Sequence, residues 1–348
     1  MVFKKRLSFN IRYWSKCNNK CTFCFEDSDT YTNIFCNPSV EAIDANNAVV
    51  KRMVNESNYD TYAFKLLGGE LFYVRNKEII KRLADTVDWI YDVYDSRGII
   101  PTLDKAKDGF CQETLLIAST LLYKEPDAMN ACLDVLASKP CSIHPSMMLS
   151  YDLHGRFIRP GMADRYYKNY CDIVNNYPGL IRPVVSFLFS RQNMEILANQ
   201  TPCRELEIFD ELYNMGAPFD GTLLYNDSHI DYFAYTVDQL HAFVDVLFRK
   251  YPRILRSFVN IFGVAREYHS HVTTRVTVQG GAAFSDNDFF EKDKTKDHKC
   301  LCCSEYSQCV HCWPDISYNV THCDVREIIR LYNANRLKYI VNENEKDV

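Results

Sequence analysis

Three closely spaced cysteines near the start of the chain are the residues whose type and spacing most clearly indicate chemistry. The stretch SKCNNKCTFCFED, residues 15–27, contains Cys17, Cys21 and Cys24 as C-x3-C-x2-C, in a chain with 15 cysteines. Thiolates bind zinc and iron, and structural zinc ions and four-iron clusters usually take four protein ligands. Three thiols on one short loop therefore leave one coordination position for a distant residue, such as Cys36 or a histidine, or for a bound small molecule.

A second group of cysteines lies near residue 300. The run CLCCSEYSQCVHC contains C-x2-C-x5-C-x2-C, formed by Cys300, Cys303, Cys309 and Cys312. Two pairs of thiols with this spacing suit either a structural zinc ion or an iron–sulfur cluster. The remaining cysteines between the two groups have no ligand spacing and are expected to be small buried apolar residues: Cys36, Cys111, Cys132, Cys141, Cys171 and Cys203.

The composition and the lack of a targeting segment indicate that these thiols belong to a protein of a reducing compartment. The 348 residues are 47% hydrophobic and 24% charged, and the net charge of −5 leaves no cationic footprint for non-specific nucleic-acid or membrane binding. No apolar run resembles a signal peptide or a membrane span. We therefore expect a protein of the cytoplasm, of a cell or of a virus-infected host cell, with no membrane partner. Clustered thiols in that compartment bind metal or do chemistry more often than they form disulfides.

The elements that must position the first cysteines are a strand before them and a strand–turn after them. RLSFNIRYW alternates apolar and polar residues, as a strand with one face on a core does, and the cysteines follow it directly. TYAFKLL, residues 61–67, is predicted to be a buried strand that stops at Gly68 and Gly69. Between and after them, helices are predicted from Val40, after Pro38 and Ser39, and from Asn76, with an apolar stripe at Ile79, Leu83, Val87 and Ile90.

The rest of the chain continues this alternation. We predict a helix or strand at 114–123, a strand ending near Ser150, a strand at 183–189, a helix at 204–215 closed by Gly216, a strand at 219–225 and a helix from Thr236 with a Gln239 capping box. Strands alternating with helices indicate an α/β fold with a parallel sheet, whose chemistry lies at the carboxyl ends of the strands. From about residue 256 the regular alternation of predicted strands and helices ends. We therefore predict two domains, 1–255 and a C-terminal extension, 256–348.

The cysteine motif resembles a known family signature. C-N-N-K-C-T-F-C, with Phe23 before the third cysteine, is similar to the motif of the radical S-adenosylmethionine (radical SAM) enzymes. The resemblance implies that Cys17, Cys21 and Cys24 hold a [4Fe-4S] cluster whose fourth iron is chelated by S-adenosyl-L-methionine. It also implies a partial (βα)6 radical SAM barrel, with a small C-terminal cysteine-rich extension.

A second feature of the family has a counterpart after the second strand. KLLGGELF supplies Gly68, Gly69 and Glu70 where the family has a Gly-Gly-Glu turn against the amino group of the cofactor. Phe23 and Ser150 are further implied cofactor contacts, with loop packing and a strand-end cap as their structural alternatives. Asp152 is a weaker candidate of the same kind, near the end of the predicted fourth strand.

The second cysteine group resembles the end of the SPASM extension of radical SAM peptide-modifying enzymes. There the closing pattern is C-x2-C-x5-C-x3-C, so the last gap here is shorter by one, and TVQGGAAFSDND lacks the upstream cysteines. The resemblance therefore implies at most one auxiliary [4Fe-4S] cluster, with Cys302 or Cys323 as substitute ligands. Zinc is the alternative metal.

The implied activity is reductive cleavage of S-adenosylmethionine to a 5′-deoxyadenosyl radical, which abstracts hydrogen from an unactivated C–H. Such chemistry needs an electron donor such as flavodoxin or ferredoxin. The sequence does not distinguish among three classes of substrate: a small molecule, a nucleotide and a peptide.

Three readings of the function compete. One is an isomerase or tailoring enzyme acting on an amino-acid-modified nucleotide, such as a hypermodified base in viral DNA, and the cationic segment HGRFIRPGMADRYYK could contact its phosphates and bases. Another is a SPASM-type peptide or protein maturase, for which a loop starting at residue 17 leaves no room for a preceding leader-binding domain. The third is a zinc-stabilised binding protein without enzymatic activity.

Overall fold

The computed structural model describes residues 4–24, 36–96, 115–139, 146–222, 236–255 and 271–285. The chain divides into two compact units. Unit one comprises residues 1–150, 156–185 and 270–292, and unit two comprises residues 151–155, 186–269 and 293–348. Among the helices in the described ranges, none combines the length and the apolar character needed to cross a membrane.

An eight-stranded sheet is the centre of the α/β fold. Its strands are β1 (Lys4–Arg12), β2 (Thr61–Leu67), β3 (Leu115–Ser119), β4 (Ser146–Tyr151), β5 (Arg182–Leu188), β6 (Phe219–Thr222), β7 (His271–Gln279) and β8 (Ala282–Ser285). They are ordered β6-β5-β4-β3-β2-β1-β7-β8. The pairs β4–β3, β3–β2, β2–β1 and β1–β7 are parallel, whereas β7 and β8 form an antiparallel hairpin. The α/β prediction is confirmed, and the ambiguous segment 114–123 contains a strand.

Seven helices that begin and end within the described residues connect or flank these strands. They are α1 (Val40–Glu56), α2 (Lys77–Ser96), α3 (Asp127–Ser138), α4 (Met162–Asn176), α5 (Arg191–Asn199), α6 (Arg204–Asn214) and α7 (Val237–Lys250). The predicted caps are confirmed: Ser39 accepts from Ala42 N, Asn76 accepts from Glu78 N, and Thr236 forms a capping box with Gln239.

One face of the sheet in unit one is an apolar core under α2. Leu7, Phe9 and Ile11 are buried, and the ring of Phe9 stacks on Phe64 of β2 with centroids 5.5 Å apart. Phe64 also meets the edges of Trp89 and Tyr94 of α2, at 5.8 and 5.7 Å. The predicted stripe of α2 is buried as well, which confirms its helical period: Ile79, Leu83, Val87 and Ile90.

Unit two has an aromatic core of its own. The ring of Phe209 on α6 lies 5.0 Å from Phe187, 5.0 Å from Phe219 and 5.2 Å from Tyr251. Such offset and edge-on ring contacts add to the free energy gained by burying large apolar side chains. Helix α6 is therefore anchored to the strands that flank it in sequence, and Gly216 follows it with φ of 87°, as a helix-ending glycine does.

The segment around residue 275 joins the sheet next to the first strand. Strand β7 pairs in parallel with β1, from Lys4 opposite His271 to Arg12 opposite Gln279. Residues 271–285 thus lie in unit one, although the sequence prediction grouped them with the C-terminal extension. The domain division at residue 255 stays a prediction, because the second cysteine group lies outside the described residues.

Candidate functional site

The cysteine loop (residues 15–24) and the Gly-Gly-Glu turn (residues 68–70) are joined by main-chain hydrogen bonds. Because β1 and β2 are parallel, with Arg12 opposite Leu67, both segments leave the sheet at its carboxyl edge. Gly69 N donates to Trp14 O at 2.8 Å, and Glu70 N donates to Lys16 O at 3.1 Å. The structure therefore brings together two of the three motifs predicted from sequence.

Close packing of the cysteine loop explains why residues 68 and 69 are glycines. The sequence analysis linked these glycines to contact with a cofactor instead. A Cβ on Gly69 would overlap the carbonyl oxygens of Ser15 and Lys16, and one on Gly68 would lie 2.9 Å from Trp14 O. The cysteine loop can approach the turn this closely only because both residues lack side chains. Their contact with a cofactor stays a prediction.

Glu70 is a buried carboxylate tied to the end of β3. It is 1% exposed, and it accepts hydrogen bonds from Phe72 N at 3.2 Å and Ser119 Oγ at 3.0 Å. Thr120 donates twice more, from its N at 2.6 Å and from its Oγ1. Burial raises the pKa of the Glu70 carboxyl, and these donors oppose the rise. Ser119 and Thr120 were missed from sequence, where their only signal is a pair of hydroxyl residues at a strand end.

The three cysteines lie partly exposed on the loop. Asn19 supports two of them, because its backbone N donates to Cys17 Sγ at 3.4 Å and its Nδ2 to Cys21 Sγ at 3.3 Å. Burial, followed by the nearby Glu70 carboxylate, raises the pKa of the Cys17 thiol to about 12, and Cys21 and Cys24 add to the rise. The three sulfur atoms are therefore close enough to influence one another's ionisation.

This donor set fits an iron–sulfur cluster or zinc by its chemistry, since it offers several thiols on one loop. In the described parts of the chain, no three or more His, Cys, Asp or Glu side chains are arranged to hold a metal ion. Cys36 lies beside the loop, where its O accepts from Lys16 N at 2.9 Å, and its side chain is exposed. The main chain of a fourth cysteine therefore contacts the cysteine loop.

Arg156, from the cationic segment that the sequence suggested for nucleic-acid contact, is a buried cation at the cysteine loop. It is 7% exposed, and its Nη1 donates to Cys21 Sγ at 3.7 Å. Its guanidinium lies 5.2 Å from the ring centroid of Phe23, which is itself buried. Asn19 Nδ2 completes the arrangement with a 2.7 Å bond to Arg156 O. Phe23, a predicted cofactor contact, therefore packs on Arg156.

Three further residues of the cationic segment have partners within the chain. Tyr166 is fully buried, with its hydroxyl donating to Leu149 O at 3.0 Å, and Lys168 pairs with Asp172 at 2.5 Å. Arg159 is exposed and donates to Asn18 O at 3.0 Å. A buried ring cannot stack on a base, so Tyr166 does not contribute to the nucleic-acid surface suggested by the sequence.

The end of β4 carries the last predicted cofactor contacts. Ser150 is half-buried within the strand. Asp152, in unit two, is fully buried, and its Oδ1 accepts from His154 N at 2.6 Å. This is the side-chain turn expected of an Asp that follows a strand. For Ser150 the cofactor contact stays a prediction.

The second cysteine group, Cys300, Cys303, Cys309 and Cys312, lies outside the described residues, and so do Cys302 and Cys323. Its metal site stays a prediction. No family model matches the chain, and no curated protein is similar to it in sequence.

Proposed function

We propose that the protein is a radical SAM enzyme that modifies or rearranges a substrate at an unactivated C–H position. The observation that carries the proposal is the joining of the cysteine loop to the Gly-Gly-Glu turn at the carboxyl edge of β1 and β2. Two motifs separated by more than 40 residues in sequence are thereby held in one site. The carboxyl edge is where parallel α/β folds carry their active sites.

In the proposed site, Cys17, Cys21 and Cys24 would hold a [4Fe-4S] cluster, and S-adenosylmethionine would bind at that cluster. Together these groups supply one-electron chemistry that produces an organic radical, with an electron donor such as flavodoxin or ferredoxin. Asn19 and Arg156 orient Cys21 by donating to its sulfur atom. Gly69 lets the loop lie against the turn, and Glu70 fixes the turn to β3.

The fold is compatible with the proposed partial (βα)6 barrel. Strands β1 to β6 follow one another in the sheet in chain order, which is the order of strands in a (βα) barrel. In the same proposal, Cys300, Cys303, Cys309 and Cys312 hold a second [4Fe-4S] cluster or zinc. The enzyme acts in the cytoplasm on a small molecule, nucleotide or peptide, and Phe23 and Ser150 contact the cofactor.

Anaerobic reconstitution of the full chain with iron and sulfide tests the proposal. We expect a broad absorbance band at about 400 nm, of the kind that [4Fe-4S] proteins show. After reduction we expect a paramagnetic signal that changes when S-adenosylmethionine is added. Cleavage of S-adenosylmethionine to 5′-deoxyadenosine is the activity readout.

A triple variant, Cys17→Ala with Cys21→Ala and Cys24→Ala, should lose the signal that responds to S-adenosylmethionine and lose the cleavage. The matched control is Cys171→Ala, a partly exposed cysteine on α4, which should change neither. Retention of the responsive signal in the triple variant would overturn the proposal. Iron that remains bound in this variant, with no response to S-adenosylmethionine, would be iron held by the second cysteine group.

A zinc-stabilised binding protein is the second candidate, and the position of Cys36 favours it. Cys36 O accepts from Lys16 N, so the main chain of a fourth cysteine lies against the loop. This candidate predicts a colourless protein with zinc bound as isolated, and loss of that zinc in Cys36→Ala. The radical SAM proposal predicts instead that Cys36→Ala keeps its iron content and its response to S-adenosylmethionine.

A further inference from the structure

The segment that follows β3 is bonded to both motif segments of the site. We call residues 119–123 the β3 bend. Thr120 N donates to the Glu70 carboxylate at 2.6 Å, which ties the bend to the Gly-Gly-Glu turn. Leu122 O accepts from Asn18 Nδ2 at 2.7 Å, which ties the bend to the cysteine loop. The β3 bend is therefore a third element of the site, with no motif of its own in the sequence.

The backbone of the β3 bend is strained at Leu121. Its φ is 53°, in the left-handed region that a bulky side chain rarely adopts. The residue is fully buried, and its N donates to Ser119 Oγ at 3.0 Å. Strained conformations of this kind persist only where the surrounding structure holds them, and they cluster at functional sites. The contacts that hold Leu121 therefore also set the position of the next carbonyl, Leu122 O.

Asn169 of α4 holds the β3 bend by two hydrogen bonds. Its Nδ2 donates to Leu121 O at 2.8 Å and to Tyr123 O at 3.1 Å, while the carbonyl between them accepts from Asn18. The asparagine is 8% exposed. Buried carbonyl groups that lose their donors cost free energy, so these bonds stabilise the strained conformation of the bend.

We propose that Asn169 is a positioning residue that acts through the β3 bend on the cysteine loop and the Gly-Gly-Glu turn. Its side chain bonds to the bend, and the bend bonds to both motif segments, so its effect on the cysteines is indirect. Without these bonds Leu121 relaxes toward negative φ, and Leu122 O moves away from Asn18. The consequence for metal binding rests on the proposed function, whereas the linkage itself does not.

Hydrogen exchange of the metal-free, full-length chain measures the linkage, peptide by peptide, by mass spectrometry. In Asn169→Ala we expect about tenfold faster exchange in the peptides of the cysteine loop and the Gly-Gly-Glu turn. The reporting amides include Gly69 N and Glu70 N, which donate to the main chain of the loop. Peptides of α2 should keep their rates, because the bend does not hold the apolar core.

Two controls separate this local opening from a general loss of stability. Asn175→Ala removes an exposed asparagine from the same helix and should change no rate. Ile90→Val creates a small cavity in the buried stripe of α2, away from the bend. It should speed exchange in α2 at least as much as in the site, which is the pattern that a merely structural loss produces.

Asn18→Ala breaks the linkage from the loop side. Asn18 is half-buried, so this variant tests the linkage even where Asn169→Ala does not fold. We expect it to speed exchange in the β3 bend as well as in its own loop. In the double variant, exchange in the site should be about as fast as in the faster single variant, because the second change removes a connection that is already lost.

Iron release extends the test to the reconstituted protein. With a chelator of ferrous iron, bleaching of the cluster absorbance should be about tenfold faster in Asn169→Ala than in Asn175→Ala, since residues that support metal ligands affect metal affinity to this degree. Unchanged iron release despite faster exchange would contradict a role in positioning the metal ligands.

The linkage is overturned if Asn169→Ala exchanges as Asn175→Ala does, if Asn18→Ala leaves the β3 bend unchanged, or if the two rate increases multiply in the double variant. The response of the unmodified protein to S-adenosylmethionine is scored separately. Local opening in the variants with no such response would contradict the enzyme assignment and leave the linkage in place. A response to S-adenosylmethionine with unchanged exchange would have the opposite meaning.

Discussion

Arg156 donates a hydrogen bond to the sulfur atom of Cys21, with 3.7 Å between Nη1 and Sγ. The guanidinium is buried and also lies over the ring of Phe23, at 5.2 Å from its centroid. A fixed positive charge at a sulfur ligand stabilises the more negative, reduced state of the metal group that this sulfur holds. Arg156 is therefore a positioning residue whose effect should be electrostatic as well as structural.

Replacing Arg156 should make the reconstituted cluster harder to reduce. We expect Arg156→Met to disfavour reduction about tenfold, equivalent to about 59 mV for a one-electron couple, and Arg156→Lys to restore part of the difference. The measurement is a spectroelectrochemical titration of the cluster. The control is Arg159→Met, an exposed arginine bonded to Asn18 O. An unchanged or higher midpoint potential in Arg156→Met would contradict the electrostatic role.

Gly69→Ala should destabilise the protein and the cysteine loop together. The added Cβ overlaps the main-chain oxygens of Ser15 and Lys16, which cannot move aside without breaking the loop's hydrogen bonds to the turn. We expect a loss of about 3 kcal/mol in the free energy of unfolding and a large loss of bound iron.

The control for this variant is Gly179→Ala. Gly179 has a positive φ of 71° and no neighbour within 4 Å of an added Cβ, so it reports the cost of backbone strain without a clash. It should lose about 1 kcal/mol and keep its iron. Equal losses in the two variants would show that the close approach at Gly69 is unimportant.

The parts of this structure that could be predicted from sequence are those set by local pattern. Alternation in β1, the buried run of β2 and the cap at Asn76 all involve neighbours a few residues apart. The contacts of Glu70 with Ser119 and Thr120 span 49 and 50 residues, and that of Arg156 with Cys21 spans 135. No periodicity or motif specifies such contacts, so the surroundings of the site emerged only from the fold. The pairing of β7 with β1 was missed for the same reason.

Glu70→Gln should change how stability depends on pH. Burial raises the pKa of Glu70 above its ordinary value of 4.5, so folding favours the protonated acid. Its contribution to stability is therefore complete below about pH 4.5 and is lost as pH rises through the higher pKa of the folded state.

Urea unfolding at a series of pH values from about 4 to 8 tests this sign, because Glu70→Gln cannot ionise. The free energy of unfolding of the unmodified protein, relative to the variant, should fall as pH rises. Glu78→Gln, at an exposed position in the first turn of α2, should run parallel to the unmodified protein. A relative stability that rises with pH would mean that the four hydrogen bonds outweigh burial.

The thiols of the metal-free protein should differ in their rates of alkylation. Cys17, with its pKa raised to about 12 mainly by burial, is almost wholly protonated at neutral pH, and the thiolate is the reactive form. Buried Cys132, whose pKa burial also raises to about 12, should be slow too, whereas exposed Cys36 should react at least about tenfold faster. Timed iodoacetamide labelling with peptide mass spectrometry measures each rate.

Reconstitution turns the same measurement into a test of which thiols hold metal. If the three cysteines of the loop are the ligands, Cys17, Cys21 and Cys24 become protected together while Cys36 keeps its rate. Protection of Cys36 along with them would identify it as the fourth ligand and favour the zinc site. In that case the open coordination position that the radical SAM proposal requires would be filled by the chain's own thiol.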